Sequence, residues 1–245
     1  MRKPIYKVSL LFSLIACLSV GISYYAFAKK DVPNSLAKKE KKDGWILLFD
    51  GKTFEGWHGC NLDGVPDCWV VDDGRMKMTT EGGQESQDVI TDKIYNSFEL
   101  KFEFMLTKGA NSGVIFQVKE DPKYKFPYET GPEFQVIDHD NWPGKLEDWQ
   151  ICGANYAMYP PRVKSYKPVG EWNQAILIVD GNKVTQILNG KTVVEYEKYS
   201  DEWKKLRDSG KWADFPDYGK FDEGHISFQN HGTNVFYRNI KIKEL

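Results

Sequence analysis

Two short stretches of this 245-residue chain place acids, amides and imidazoles at alternate positions. In Gly131-Pro132-Glu133-Phe134-Gln135-Val136-Ile137-Asp138-His139-Asp140, a period of two sets Glu133, Gln135 and His139 on one side and Phe134 and Val136 on the other. In His225-Ile226-Ser227-Phe228-Gln229-Asn230-His231, His225, Ser227, Gln229 and His231 oppose Ile226 and Phe228. A carboxylate and an imidazole on one strand face can act as base and electrophile on neighbouring atoms of one substrate, or hold one metal ion. Glu133 and His139 are the pair for either role, so a divalent metal is an option, and the sequence makes no cofactor certain. A solvated outer face explains one such strand; two with the same pattern favour a shared cleft. Gly232 lets the backbone turn so that His231 faces that cleft. Arg238 has the parity of Ile240 and Ile242, so a plain strand buries its guanidinium. It then needs a carboxylate such as Glu133 or Asp138, or it clamps an anionic intermediate. Asn111, Gln117, Gln135, Asp138 and Gln229 are candidates for orienting polar groups of a substrate, and Trp142, Tyr156 and Trp172 for stacking on it. Asn111-Ser112-Gly113 and Gly170-Glu171-Trp172-Asn173 also have the composition of plain turns and caps.

The elements that must position these residues are strands. Trp45 to Phe49 is an apolar run stopped by Asp50-Gly51, and Trp69 to Met78 reads as a hairpin around Asp72-Asp73-Gly74. Thr79 to Gln87 is polar and Gly-rich, a loop. Phe98 to Leu106 alternates most clearly, with Phe98, Leu100, Phe102, Phe104 and Leu106 on one face. Val114 to Val118 is the next strand, and 140–167 is a long ordered loop rich in Trp, Tyr and Pro, of the kind that builds binding sites at a sheet edge. Asp180-Gly181-Asn182 and Asn189-Gly190 mark two hairpins, and Ser200 to Ser209 is one short helix capped by Ser200 and ended by Gly210. Many strands at short spacing with almost no helix predict an all-β, two-sheet antiparallel sandwich.

Hydrophobic residues make up 41% of the chain and aromatic ones 14%, enough for a packed core. A net charge of -2 gives no electrostatic case for nucleic acid or an anionic membrane as partner. No nucleotide-binding loop, Gly-x-Ser-x-Gly elbow or HExxH motif is present in the sequence. Residues 1–28 have the form of a signal peptide: Arg2, Lys3 and Lys7, then an apolar run from Val8 to Val20, then Ala26-Phe27-Ala28. Leu14-Ile15-Ala16-Cys17 offers a competing lipoprotein signal with Cys17 lipidated, and an uncleaved anchor is a third option. The protein is therefore expected to be exported, periplasmic or at the cell surface, touching a membrane only through such an anchor. Residues 29–42 read as a flexible tether and 43–245 as a single domain. In an oxidising compartment Cys60 and Cys68 are expected to pair, leaving Cys152 free.

The ordered set Trp45-Ile46-Leu47-Leu48-Phe49-Asp50-Gly51, Asn111-Ser112-Gly113, Glu133-Phe134-Gln135-Val136-Ile137-Asp138, Gly170-Glu171-Trp172-Asn173, Leu188-Asn189-Gly190, and Gln229-Asn230-His231-Gly232 with Phe236-Tyr237-Arg238-Asn239-Ile240 resembles the 3-keto-disaccharide hydrolase family. The resemblance implies a concanavalin A-like jelly roll, of the lectin and glucanase type, acting on 3-keto glycosides or disaccharides. It also implies that a base removes the C2 proton, the aglycone leaves C1, and water adds back. Glu133 or His139 is the expected base; His231, Arg238 or a bound cation would meet the enolate oxygen. Two departures are Asn230, where Asp is expected before His-Gly, and Tyr237, where Phe is common. Two other functions compete. A laminarinase-like retaining glycosidase would use Glu133-x-Gln135-x-x-Asp138, although Asp138 lies an odd number of positions from Glu133. A non-catalytic glycan-binding module would use Trp142, Trp149 and Tyr156 as stacking rings. Oligomeric state is not legible.

Overall fold

Residues 32–79 and 87–245 are described by a computed structural model. Helix α1 (Lys38–Lys42) precedes strands β1 (Ile46–Leu47), β2 (Trp57–Gly59), β3 (Trp69–Asp72), β4 (Arg75–Met78), β5 (Val89–Thr91) and β6 (Phe98–Leu106). There follow β7 (Asn111–Val118), β8 (Glu133–Ile137), β9 (Asn173–Asp180), β10 (Lys183–Leu188) and β11 (Lys191–Glu197). Helix α2 (Asp201–Ser209) then leads to β12 (His225–Phe228) and β13 (Val235–Glu244).

The strands form two antiparallel sheets, as the alternation predicts, and the fold is a jelly-roll sandwich. One runs β11-β10-β9-β6-β13-β4-β3, with β1 also paired to β13; the other runs β2-β5-β12-β7-β8. The alternation in β6 is realised in full, its five apolar side chains buried and the intervening ones half-exposed. Phe102 from this strand meets Phe134 and Phe228 of the opposite sheet at ring-centroid distances of 5.6 and 6.0 Å, both edge to face, the favoured geometry for aromatic pairs. Asn189 and Gly190 take φ of 49° and 78°, the left-handed pair that a two-residue hairpin turn needs. Ser200 caps α2 by accepting the Trp203 N–H at 3.2 Å.

The outer side of β8 is not solvated. All five of its residues are buried, because the 140–167 loop runs along this edge strand and satisfies its free backbone groups. Gln135 N–H donates to the Ala154 carbonyl at 2.9 Å, and Tyr156 N–H to that of Glu133 at 3.0 Å. The loop then crosses to the other sheet, where Gln186 donates to the Gly153 and Ala154 carbonyls and Tyr159 stacks on Tyr196.

Several expectations need correction. The described part of the supposed tether is ordered against β13: Asn34 and Asn239 exchange backbone-to-side-chain hydrogen bonds of 2.7 and 2.8 Å, and Glu40 pairs with Lys241. Helix α1 makes two α-helices among the described residues rather than one. Residues 31–245 form a compact unit, and the signal-peptide, Cys17 and Ala28 assignments lie outside the described residues. Cys60 and Cys68 are both free: the buried Cys68 sulfur accepts from the Asn230 amide at 3.2 Å, and Cys60 is half-buried beyond β2. Cys152 is also free and buried.

Candidate active site

On the cleft side of the five-stranded sheet, strand pairing brings Gln135 of β8, Gly113 of β7, Gln229 beyond β12 and Asp88 before β5 into one row. Gly113 is the small member of that row, and its missing side chain is what lets the Glu133 side chain lie across β7. A Cβ built there would stand 2.2 Å from Glu133 Oε1 and 2.7 Å from its Cδ and Cγ. The Glu133 side chain therefore leaves its own strand and lies over β7, toward Gln229. It is 4% exposed, and among the described residues no hydrogen bond reaches its carboxylate. Burial pushes its pKa up, the nearby Lys211 charge opposes this, and the Asp88 charge adds to it.

Beside it opens a cleft of about 470 Å³ lined by Asp88, Phe126, Tyr128, Gln229, Asn230, His231 and Gly232, a size suited to one or two sugar rings. Asp88 is buried, and its pKa is raised to about 7 by desolvation in spite of the Asn230 N–H that donates to it at 2.8 Å. His231 stands exposed at the rim, after which Gly232 turns the chain at φ 75°. The Asn230 side chain does not orient this imidazole. Its amide nitrogen donates to Cys68 and its oxygen accepts from Gly232 N–H at 2.9 Å, so it fixes the turn that presents His231.

The excursion between β11 and β12 packs behind Tyr128, which lines the cleft, through Trp212 and Phe215. Trp212 is buried and stacked on Tyr218, ring centroids 3.9 Å apart, with its indole N–H donating to the Tyr156 carbonyl at 3.3 Å. This anchor holds its neighbour Lys211, whose ammonium lies 4.8, 4.6 and 4.7 Å from the ring centroids of Tyr128, Tyr156 and Trp212. Lys211 is an exposed residue whose ammonium is nonetheless flanked by three rings, which take it partly out of water. That desolvation lowers its pKa and the Glu133 charge holds it up.

Of the residues singled out from sequence, the fold brings Glu133, Gln229, His231 and Tyr156 to this site. Gln135 lies beneath them with its amide committed to the Gln150 carbonyl and its oxygen to Val136 N–H. Asn111 lies beyond Gly113 on the same side of β7, with a buried side-chain oxygen that has no partner. Others stand elsewhere. His139 follows the end of β8, six residues or about 20 Å of extended chain from Glu133, with its ring against Tyr166. The two cannot share a substrate atom or a metal ion. Among the described residues, no three His, Cys, Asp or Glu side chains are grouped to hold a metal. Asp138 is fully buried as a turn organiser, accepting from Gly109 N–H, Asn141 and Tyr166, so the glucanase-type register has lost its second carboxylate. Trp142 packs against the core and does not line the cleft. Gln117 takes φ 54° in an irregular stretch of β7, donates to the Asp222 carbonyl and accepts from the buried Lys198 ammonium at 2.8 Å.

Arg238 is the largest departure. It pairs with Glu103 at 2.7 Å and lies 3.9 Å over the Trp172 ring, on the outer face of the other sheet. The cause is a bulge: the register of β13 against β6 shifts between Arg238 and Lys241, and Asn239 takes φ 53°. One extra residue reverses the parity, so Tyr237, Ile240 and Ile242 face the core and Arg238 does not. Trp172 is thereby removed from the cleft as well. In the other direction, Asp88, Phe126 and Tyr128 line the cleft and Lys211 and Trp212 stand beside Tyr128, and the sequence reading singled out none of them. The one available signal was Asp88 directly before the apolar Val89-Ile90.

Residues 44–243 match the family of 3-keto-alpha-glucoside-1,2-lyase-like domains. A relative from Bacteroides thetaiotaomicron named 3-keto-disaccharide hydrolase is 34% identical over 253 residues, covering 92% of this chain and 87% of its own. Among solved structures, a candidate glycosyl hydrolase from Parabacteroides distasonis superposes with a TM-score of 0.82 at 43% identity, over 87% of this chain and all of its own. A second from the same organism gives 0.62 at 26% identity, over 82% and 99%.

Proposed function

The chain belongs to the 3-keto-alpha-glucoside-1,2-lyase-like family, and from that premise we propose that it cleaves 3-keto glycosides or disaccharides by elimination followed by hydration. A ketone at C3 acidifies the proton on C2. Glu133 takes that proton, and the C2–H electron pair is delocalised onto the C3 oxygen as an enolate. When the enolate collapses, C3=O re-forms, C1=C2 forms and the C1–O bond breaks, the aglycone oxygen taking up the proton that Glu133 removed, which returns Glu133 to its carboxylate. Water then adds across C1=C2, hydroxyl to C1 and proton to C2, so that one water is consumed overall. The scissile oxygen needs no strong acid, which suits a site whose two buried carboxyls have raised pKa values.

The observation that carries this proposal is the Glu133 carboxylate, buried, free of hydrogen bonds and laid across Gly113, whose carbonyl accepts from the N–H of cleft-lining Gln229. Desolvation makes it a stronger base, and nothing in the protein has to be broken before it accepts a proton. Gln229 and His231 are placed to orient substrate hydroxyls, and Tyr128 and Phe126 to pack on a ring face. Export is part of the proposal, supported by the basic, apolar and small-residue regions of residues 1–28.

The test is incubation with a 3-keto glucoside and with the matching ordinary glucoside. Release of aglycone from the keto sugar alone is expected. Glu133→Gln should lower kcat by at least ~10². Equal cleavage of both sugars, or binding of both without cleavage, would overturn the proposal.

A further inference from the structure

The mechanism above assigns no residue to the C3 oxygen: of the side chains expected for it, Arg238 lies on the other sheet and His231 stands exposed at the rim. We propose that Lys211 is the catalytic residue that meets this oxygen and stabilises the enolate. The inference rests on the 3-keto reading of the site and deepens it.

Three observations carry it. The first is supply and demand of hydrogen bonds. The Lys211 ammonium has three N–H donors, and among the described residues it makes no hydrogen bond and no ion pair within 4.0 Å. Glu133, which senses its charge, is equally unsatisfied. A buried carboxylate and a partly desolvated ammonium that stand apart with all of this capacity unused are arranged for a third party between them. An α-proton and the carbonyl oxygen two bonds beyond its carbon match that arrangement, one end for the base and the other for the cation.

The second is how Lys211 is held. Three aromatic rings fix the head by cation–π attraction without using its N–H groups, and Trp212, locked by Tyr218 and the Tyr156 carbonyl, fixes the backbone next door. A donor oriented in advance by its neighbours is what stabilises a developing oxyanion at little reorganisation cost. The third is the excursion itself. The segment from α2 to the turn Lys211–Asp214 interrupts a β fold, and it is anchored by the buried Trp203 lying against Gly219, where an added Cβ would come within 2.5 Å of the ring. Its product at the cleft is Lys211 with the Trp212 side of the ring box.

The experiment uses full-length protein carrying Lys211→Met or Lys211→Arg. Enolisation is isolated by following exchange of the C2 proton into deuterated water, by NMR, on a 3-keto sugar that lacks a leaving group at C1. Lys211→Met is expected to slow this exchange, and kcat on a 3-keto glucoside, by ~10² to 10³, with a much smaller change in KM. Lys211→Arg should recover part of the loss. Because the Lys211 charge holds the Glu133 pKa down, its removal should also move the acidic limb of the kcat/KM profile to higher pH, a shift that a merely structural role would not produce. Undiminished exchange, an unmoved limb, or an effect confined to KM would overturn the assignment. Wild-type protein that fails to cleave any 3-keto glucoside would instead overturn the functional reading beneath it. A melting temperature within a few degrees of wild type in Lys211→Met, expected for an exposed residue that loses only its contacts with the rings, separates both from misfolding.

Discussion

Replacing Gly113 by Ala is a one-carbon perturbation aimed at a carboxylate on the next strand, β8, which is also its neighbour in space. The new Cβ would fall 2.2 Å from Glu133 Oε1, whereas ordinary contact begins near 3.4 Å, so the oxygen must retreat by at least 3.4 − 2.2 = 1.2 Å. Since misplacing a reacting group by about 1 Å costs on the order of 10² in rate, kcat on a 3-keto glucoside should fall about a hundredfold, or about 2.7 kcal/mol of barrier. Stability should change little. Gly113 does not occupy the left-handed region, Ala suits a strand at least as well, and the Glu133 carboxylate has no hydrogen bond to lose. Steady-state kinetics and calorimetric melting of the two single variants and the double variant with Glu133→Gln make the assay. If the substitution works through Glu133, Gly113→Ala should have almost no further effect once Glu133→Gln is present, because the two act on one group. Wild-type kcat in Gly113→Ala, or an equal loss in both backgrounds, would refute the idea that this glycine exists to let the carboxylate through.

Two further outcomes follow from residues outside the cleft. Arg238→Ala should leave kcat and KM unchanged while lowering stability by about 1 kcal/mol, read as a fall in urea midpoint, because it removes a partly exposed ion pair with Glu103 and a stacked Trp172 contact. His58 lies between Asp92, at 2.6 Å, and Glu120, at 3.2 Å, with His225 nearby; burial pushes its pKa down, but the two carboxylate partners outweigh this and raise it. A histidine raised on folding gives stability that is fully present below about pH 6.5 and is lost as pH climbs through the folded value. The melting-temperature gap between wild type and His58→Gln should therefore be widest near pH 6 and close at alkaline pH; a gap that widens with pH would contradict it.

The parts of this structure that the sequence made legible are those where the strand ladder is unbroken. In β6, five apolar residues at strict alternation face the core because no bulge intervenes, and in β8 the same rule put Glu133 and Gln135 on the side opposite Phe134. Counting by twos failed at Arg238 and His139, Gln117 as a substrate-binding candidate also stands elsewhere, and each departure has a local cause. Asn239 and Gln117 adopt positive φ and mark shifts in register, after or at which parity no longer reports side-chain direction; His139 was counted along a strand that had already ended at Ile137. Asn239 is the one break that could have been suspected, since asparagine tolerates the left-handed region far better than the β-branched residues around it.

What stayed hidden was chemistry carried on elements too short to have a period. Asp88 precedes a three-residue strand, and Lys211 opens a four-residue 3₁₀ turn after a helix whose buried residue is Trp203. Neither segment contains enough residues for an alternation to stand out against its neighbours. Their placement depends instead on contacts between distant parts of the chain: Asn230 N–H donating to Asp88 across 142 positions, and the Trp212 indole to the Tyr156 carbonyl across 56. A base on a regular strand and an electrophile on an irregular excursion is also a sensible division of labour. The sheet fixes Glu133 to within the tolerance that proton transfer demands, while the excursion can bring a cation over it without inserting a charge into the ladder.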